Sequence, residues 1–301
     1  MYISPVSDII KKHGLSYIVY ADDIQLYTTY DIRSPEDISA ALSRISSCIV
    51  EVSAWMSDSY LKLNNAKTEF IAFDRSSSFT HLANINLVLD DQVIPLSRSV
   101  INLGVSLDSS FKLSSHVQKI VRTCNFHLKN LWRIRRFIDM KTCHHAVLAL
   151  IISRLDYCNS LFSILSARDR KRLESIQNRA ARLVFSTGRR SHALPLLKEL
   201  HWLPLTLRVN FKICLIVFKI LNNCAPEYLI DMLTPYKPAR YLRSLQDSTR
   251  LIVPRYQLSS SRSRFGIYAP TVWNELPQSL RVASSISSFK AQLKTYLFSK
   301  I

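Results

Sequence analysis

Glycine is nearly missing, with four in 301 residues, against a usual frequency of roughly 7%. So low a share fits a mainly helical chain. Cysteine is sparse and irregular: six are present, none in a C-x-x-C pair, which excludes a disulfide framework. Cys124 and His127 have ligand-like spacing, but both fall on a predicted helix and no second pair accompanies them. A buried thiol and a surface imidazole are the reading, and Cys143-His144-His145 reads as a helix start. No segment has the architecture of a signal peptide, so an intracellular, reducing setting (nucleus or cytoplasm) is expected rather than secretion. Long uninterrupted apolar runs are missing too. Residues 211–221 are apolar nearly all round but too short to span a bilayer, and Arg154 and Asp156 break residues 145–165. Both read as core helices, and no membrane partner is expected.

Acid is what most of the chain lacks. Through residue 110 there are eight Lys and Arg against thirteen Asp and Glu, and thereafter 32 against nine. An acidic first part that concentrates cations, joined to a strongly basic remainder, suits a protein that grips a phosphate backbone away from a metal site.

Against that background Tyr20-Ala21-Asp22-Asp23 stands out. Residues 15–20 and 24–29, on either side, are rich in β-branched and aromatic residues, which predicts a hairpin with two carboxylates at its tip. Two neighbouring anions repel each other and gain nothing for folding. A divalent cation removes that cost, and Mg²⁺ commonly sits on one or two carboxylates plus substrate phosphates, the setting of metal-assisted phosphoryl transfer. An Asp pair also suits an ordinary turn, which is how Asp90-Asp91 is read, between two short apolar strands.

Ser34-Pro35-Glu36-Asp37 is a helix start: an N-cap, a proline at the first helical position and acids in the first turn. Ile38, Ala41, Leu42, Ile45, Ile49, Val52 and Met56 then recur at helical spacing, an apolar stripe that needs a sheet to cover. A strand is expected through Phe73, and a second hairpin over residues 101–108. Ahead of Tyr20, Ser4 is read as an N-cap, followed by a short helix through Lys12 that stops at Gly14. Val117, Ile120, Val121, Cys124, Leu128, Leu131, Ile134 and Ile138 form another helical stripe, with Arg122, Lys129, Arg133 and Arg136 off it. That basic face is either solvated or tracks phosphates. Ser166-Ala167-Arg168-Asp169 opens a further helix, whose outer face carries Arg168, Arg170, Lys171, Arg172, Arg179 and Arg182. Residues 235–285 are rich in Pro, Ser and Arg and read as short strands and turns. The run 259–263 reads as a loop or a phosphate contact. A final helix is expected over residues 286–299.

Taken in order, the YADD turn, the helix ending in Trp55 with Leu61-Lys62-Leu63-Asn64-Asn65-Ala66-Lys67-Thr68, and Leu103-Gly104-Val105-Ser106-Leu107-Asp108 resemble the palm of reverse transcriptases. More narrowly, they look like those of non-LTR (LINE-type, jockey-like) retrotransposons. Leu155-Asp156-Tyr157-Cys158-Asn159, residues 173–182, His201-Trp202-Leu203-Pro204-Leu205, Trp273-Asn274-Glu275-Leu276-Pro277 and Phe289-Lys290 resemble the region that follows the polymerase in those elements, so the likeness covers nearly the whole chain. It implies an α+β fold: an incomplete palm of β-hairpins and helices over residues 1–110, a helical thumb-like region over 111–190, and a mostly helical C-terminal region over 191–301.

The resemblance also implies roles. Asp22 and Asp23 would be the catalytic, Mg²⁺-binding carboxylates, Asp22 the more direct ligand. Tyr20 and Ala21 would shape the floor beneath the primer terminus. Lys67 would lie near the incoming triphosphate; it reads equally as a solvated strand-edge lysine. Leu103 and Gly104 would form the primer grip, or Gly104 would mark a bulge. Arg122, Lys129, Arg133, Arg136, Arg172 and Arg179 would follow the backbone of an RNA template and DNA primer. In that family another catalytic Asp lies on a strand well upstream. Twenty-one residues precede Asp22 here, and Asp8 among them falls in a predicted helix. The expectation is a 5′-truncated reading frame whose product does not polymerise DNA alone. The zinc knuckle that ends some retroelement polyproteins is missing. A non-catalytic nucleic-acid-binding remnant and a domesticated interaction protein are the alternatives.

Overall fold

Period-2 runs of β-branched residues form hairpins and apolar residues at helical spacing form helices, which gives a mixed α+β architecture. The computed structural model describes residues 4–73, 85–89, 92–236, 249–257 and 259–301. The Asp90-Asp91 turn lies outside them. Two units are distinct, Met1–Phe111 and Lys112–Ile301.

In the first unit, α1 (Val6–Lys12) begins at Pro5 as N-cap, one residue later than expected, and ends before Gly14, whose φ of +66° suits a residue without Cβ. The hairpin of β1 (Ser16–Tyr20) and β2 (Asp23–Tyr27) follows. Next, α2 (Pro35–Asp58) starts as read, with the Ser34 hydroxyl accepting from the Asp37 N–H at 3.2 Å. Its buried stripe is Ala41, Cys48, Ile49, Val52 and Met56. One part of the stripe packs with Val6, Ile10 and Leu15, against Tyr17, Ile24 and Leu26 of the first hairpin. Ile49 packs with Leu87, Leu89 and Ile94, from the hairpin of β3 (Asn86–Leu89) and β4 (Gln92–Pro95).

The strand expected through Phe73 does not form: Phe70 alone pairs, with Leu96. Before it, Asn65–Lys67 make a 3₁₀ turn capped by Asn64. The third hairpin joins β5 (Ser99–Asn102) to β6 (Val105–Asp108). Each hairpin pairs only within itself among the described residues, so no continuous sheet runs through this unit.

Glu51 ties α2 to α1, accepting from Lys12 Nζ and facing His13 Nε2, each at 2.8 Å. The Lys12 bond, then the His13 bond, hold its carboxyl below the usual range. A carboxyl depressed in the folded state contributes stability above its unfolded pKa of about 4.3 and loses it as pH falls through the folded value. Glu51→Gln is therefore expected to be less stable than the parent near neutrality, with the gap closing below about pH 3. Denaturant unfolding at several pH values reads this directly.

The second unit is helical. In it, α3 (Ser114–Ile134) buries His116, Val117, Ile120, Cys124, Leu128 and Leu131. Burial pushes the Cys124 thiol up to about 11, as suits an inert core thiol. Asp139, accepting from the Thr142 N–H at 2.6 Å, starts α4 (Met140–Val147). Cys143-His144-His145 thus lie inside that helix rather than at its start. A π turn, Leu148–Ile152, leads into α5 (Ser153–Asp156). The Ser153 hydroxyl donates to the Ala149 carbonyl and Arg154 Nε to that of Leu150, so side chains take up carbonyls the π turn leaves.

Helix α6 (Ala167–Val184) packs on α3, and α7 (Ala193–Glu199) packs on α6. The apolar run read as a core helix is the second half of α8 (Leu205–Leu221), which packs against α6, α10 (Phe265–Asn274) and α12 (Ile286–Ser299). Short α9 (Glu227–Ile230) follows α8, and α11 (Gln278–Arg281) precedes α12. Composition predicts strands and turns over residues 235–285, but their described part is mainly helical. The exceptions are one bridging pair, Pro235 with Leu251, and a 3₁₀ segment, Ser259–Ser263. Helix α10 forms although Pro270 lies inside it, because Ile267, Ala269, Pro270, Val272 and Trp273 are all buried. Tertiary packing outweighs the cost of an interior proline. Among the described residues no helix is long and apolar enough to cross a membrane.

Candidate functional site

The first hairpin turns through two residues, Ala21 and Asp22, with Tyr20 paired directly to Asp23. Such loops demand positive φ, usually from Gly or Asn. Ala21 supplies it here, at φ +55°, a conformation that strains a residue with a Cβ. Ala21→Gly is expected to remove that strain. After subtracting the greater freedom glycine gains when unfolded, it should stabilise the hairpin by roughly 0.5–1 kcal/mol, read as slower hydrogen exchange of the β1 and β2 amides.

Alternation gives the hairpin two faces. Tyr17, Ile24 and Leu26 pack on the helices, whereas Ile18, Tyr20 and Tyr27 are exposed on the other face. Asp23 lies on that open face by its pairing with Tyr20, and Asp22 lies in the loop. Both carboxylates are exposed. Their oxygens are the donor type Mg²⁺ takes, but no cluster of three or more His, Cys, Asp or Glu gathers anywhere among the described residues.

Two residues along from Asp23, Gln25 forms a reciprocal amide pair with Asn102. Gln25 Nε2 donates to Asn102 Oδ1 at 2.7 Å, and Asn102 Nδ2 donates back to Gln25 Oε1 at 3.0 Å. Asn102 directly precedes the turn of the third hairpin, so the open face of the first is tied to that turn. Leu103 and Gly104 are its two central residues, with φ +44° and +81°. Positive φ at both is the hairpin-type turn that glycine favours, not a bulge. Lys67 is exposed at the end of its 3₁₀ turn rather than on a strand edge, and Glu69 Oε2 accepts from the Ile101 N–H at 3.3 Å.

The basic residues of the second unit divide by their contacts. Arg122, Lys129, Arg133 and Arg136 are exposed, and Arg136 lies 4.6 Å over the Phe137 ring. Arg172 is half-buried and pairs with Asp169 at 3.0 Å. Burial alone would raise the Asp169 carboxyl, but hydrogen bonds from Arg172, Ser114 and Ser166 bring it below the usual range. Arg172 is thus engaged in opening α6. Arg179 is exposed and donates to Asn125 of α3. Arg135 plays a structural part, because its guanidinium donates to the carbonyls of Leu183 and Val184 and so caps the C-terminus of α6.

Several segments that carry the family likeness meet as polar fastenings. Arg208 pairs with Asp156, Gln177 Nε2 donates to the Leu203 carbonyl at 2.8 Å, and the Asn274 amide holds both backbone groups of Leu251, at 3.0 and 2.8 Å. Sequence reading missed Gln25, Asn102 and Arg135. The two amides gave a faint signal, as polar residues of low strand propensity beside a hairpin tip. Compared with models of known protein families, with curated proteins and with solved structures, the chain has no match.

Proposed function

We propose that this chain is the part of an RNA-directed DNA polymerase of the non-LTR, LINE-type (jockey-like) kind that carries the metal turn and the segments after it. The observation that carries the reading is the exposed pair Asp22 and Asp23 at a two-residue turn forced through a positive-φ alanine. Strain and like charge both oppose folding there, which is the balance found where a site serves a ligand. Mg²⁺, held by Asp22 with Asp23 beside it, would orient phosphate oxygens and draw off their charge. Tyr20 and Ala21 would lie under a primer end, and the Leu103–Gly104 turn would approach its backbone closely. Lys67 would face the triphosphate.

On this reading the chain does not extend DNA alone, because two-metal transfer needs a carboxylate set that bridges both ions. Primer extension on a homopolymer template with Mg²⁺ should yield no product. Incorporation that Asp22→Asn abolishes would show the set to be complete after all. Loss of every divalent-cation effect at the turn would instead remove the polymerase reading. A second reading, a nucleic-acid-binding remnant with an inert palm, is favoured by the exposed basic residues of α3.

A further inference from the structure

From residue 109 to residue 138 the chain has seven Lys and Arg and no Asp or Glu. Within α3, Lys119, Arg122, Phe126, Lys129 and Arg133 are all exposed, and they follow one another at spacings of three and four. At helical pitch they share about 80° of arc, opposite buried Val117, Cys124 and Leu128, and span about 21 Å. None of the four cations joins an ion pair among the described residues. Phe126 sits in the middle of them with 61% of its surface exposed. Just beyond the helix Phe137 is 72% exposed, with Arg136 over its ring.

A helix that only needed solubility would put a polar residue at position 126. One that only tracked duplex phosphates would have no use for an aromatic ring there, since the bases of a duplex are stacked on each other. Cations flanking exposed rings are how unpaired strands are held: phosphates on the charges, bases on the rings. Splayed, unpaired bases are the ordinary condition of RNA loops and ends. We infer that the outer stripe of α3 is a platform for unpaired RNA, with Phe126 and Phe137 stacking bases and Lys119, Arg122, Lys129 and Arg133 holding phosphates. This rests on the nucleic-acid part of the reading above but not on the metal turn.

Fluorescence anisotropy with a labelled oligo(U) strand of about 15 nucleotides, inside the usual single-strand site size, tests the platform against a duplex and a DNA strand of equal length. The full chain should bind the RNA strand at least tenfold more tightly than the duplex. Phe126→Ala should weaken RNA binding roughly tenfold without changing the salt slope, and Arg133→Gln should weaken it and lower the slope by about one ion. Circular dichroism establishes that each variant keeps its helices. Preference for duplex or for the DNA strand, or RNA binding indifferent to Phe126→Ala, overturns the inference. Binding to no nucleic acid at all removes the wider reading with it.

Discussion

Trp273→Ala is expected to cost about 3–5 kcal/mol, the usual loss for deleting a buried indole. Set against a total of about 5–15 kcal/mol for a folded domain, that leaves the helical unit marginal. Trp273 has no exposed surface. Its ring lies 5.8 Å from Phe289, which stacks at 4.3 Å on Phe218 of α8. The indole N–H also donates to the Thr249 carbonyl at 2.8 Å, beside the Asn274 amide that holds Leu251. One residue therefore joins α8, α10 and α12 and fixes the segment before α10. Trp273→Phe separates the contributions: it keeps most of the packing and loses the hydrogen bond, so a smaller cost of about 1 kcal/mol is expected. Urea unfolding followed by far-ultraviolet circular dichroism reads both. Equal midpoints for Trp273→Ala and the parent would mean that the aromatic cluster does not hold the unit together.

What is legible in the chain is what local chemistry decides. Ser34 and Pro35 mark a helix start whatever lies around them, and the runs beside Asp22 and Asp23 favour strands on their own composition. The apolar stripe of α2 is legible because a 3.6-residue period needs no knowledge of the partner. Sequence and structure part where a distant partner decides. Residues 68–73 have strand composition, yet only Phe70 finds a partner, Leu96. Residues 265–274 contain Pro270 and read as irregular; burial of Trp273 and Ile267 makes them a helix. The Gln25–Asn102 pair spans 77 residues, a separation no local pattern encodes. The arginines of α6 show the same limit. Arg172 and Arg179 look alike in sequence, but Asp169 claims the first and Asn125 the second. Charge counts say that a surface is basic, while contacts say which cations are still available.

The hairpin tip has the other large effect, and there stability and cation binding should move in opposite directions. Paramagnetic Mn²⁺, standing in for Mg²⁺, is expected to broaden the amide resonances of residues 21–24, with an affinity on the order of millimolar for so few fixed ligands. Asp22→Asn should weaken that response at least tenfold, and the double change with Asp23→Asn should abolish it. Asp8→Asn, on exposed α1, should leave it unaltered. Without a cation, Asp22→Asn should leave the hairpin slightly more stable, because the repulsion between neighbouring anions is gone. Adding Mg²⁺ to ten times its dissociation constant should then stabilise the parent by about 1.4 kcal/mol and the variant hardly at all. An ordinary solvent-exposed turn predicts neither the reversal nor the selective broadening. If Asp22→Asn and the parent respond alike to Mg²⁺, the carboxylates are plain turn residues, and the strain at Ala21 has to be explained without a metal.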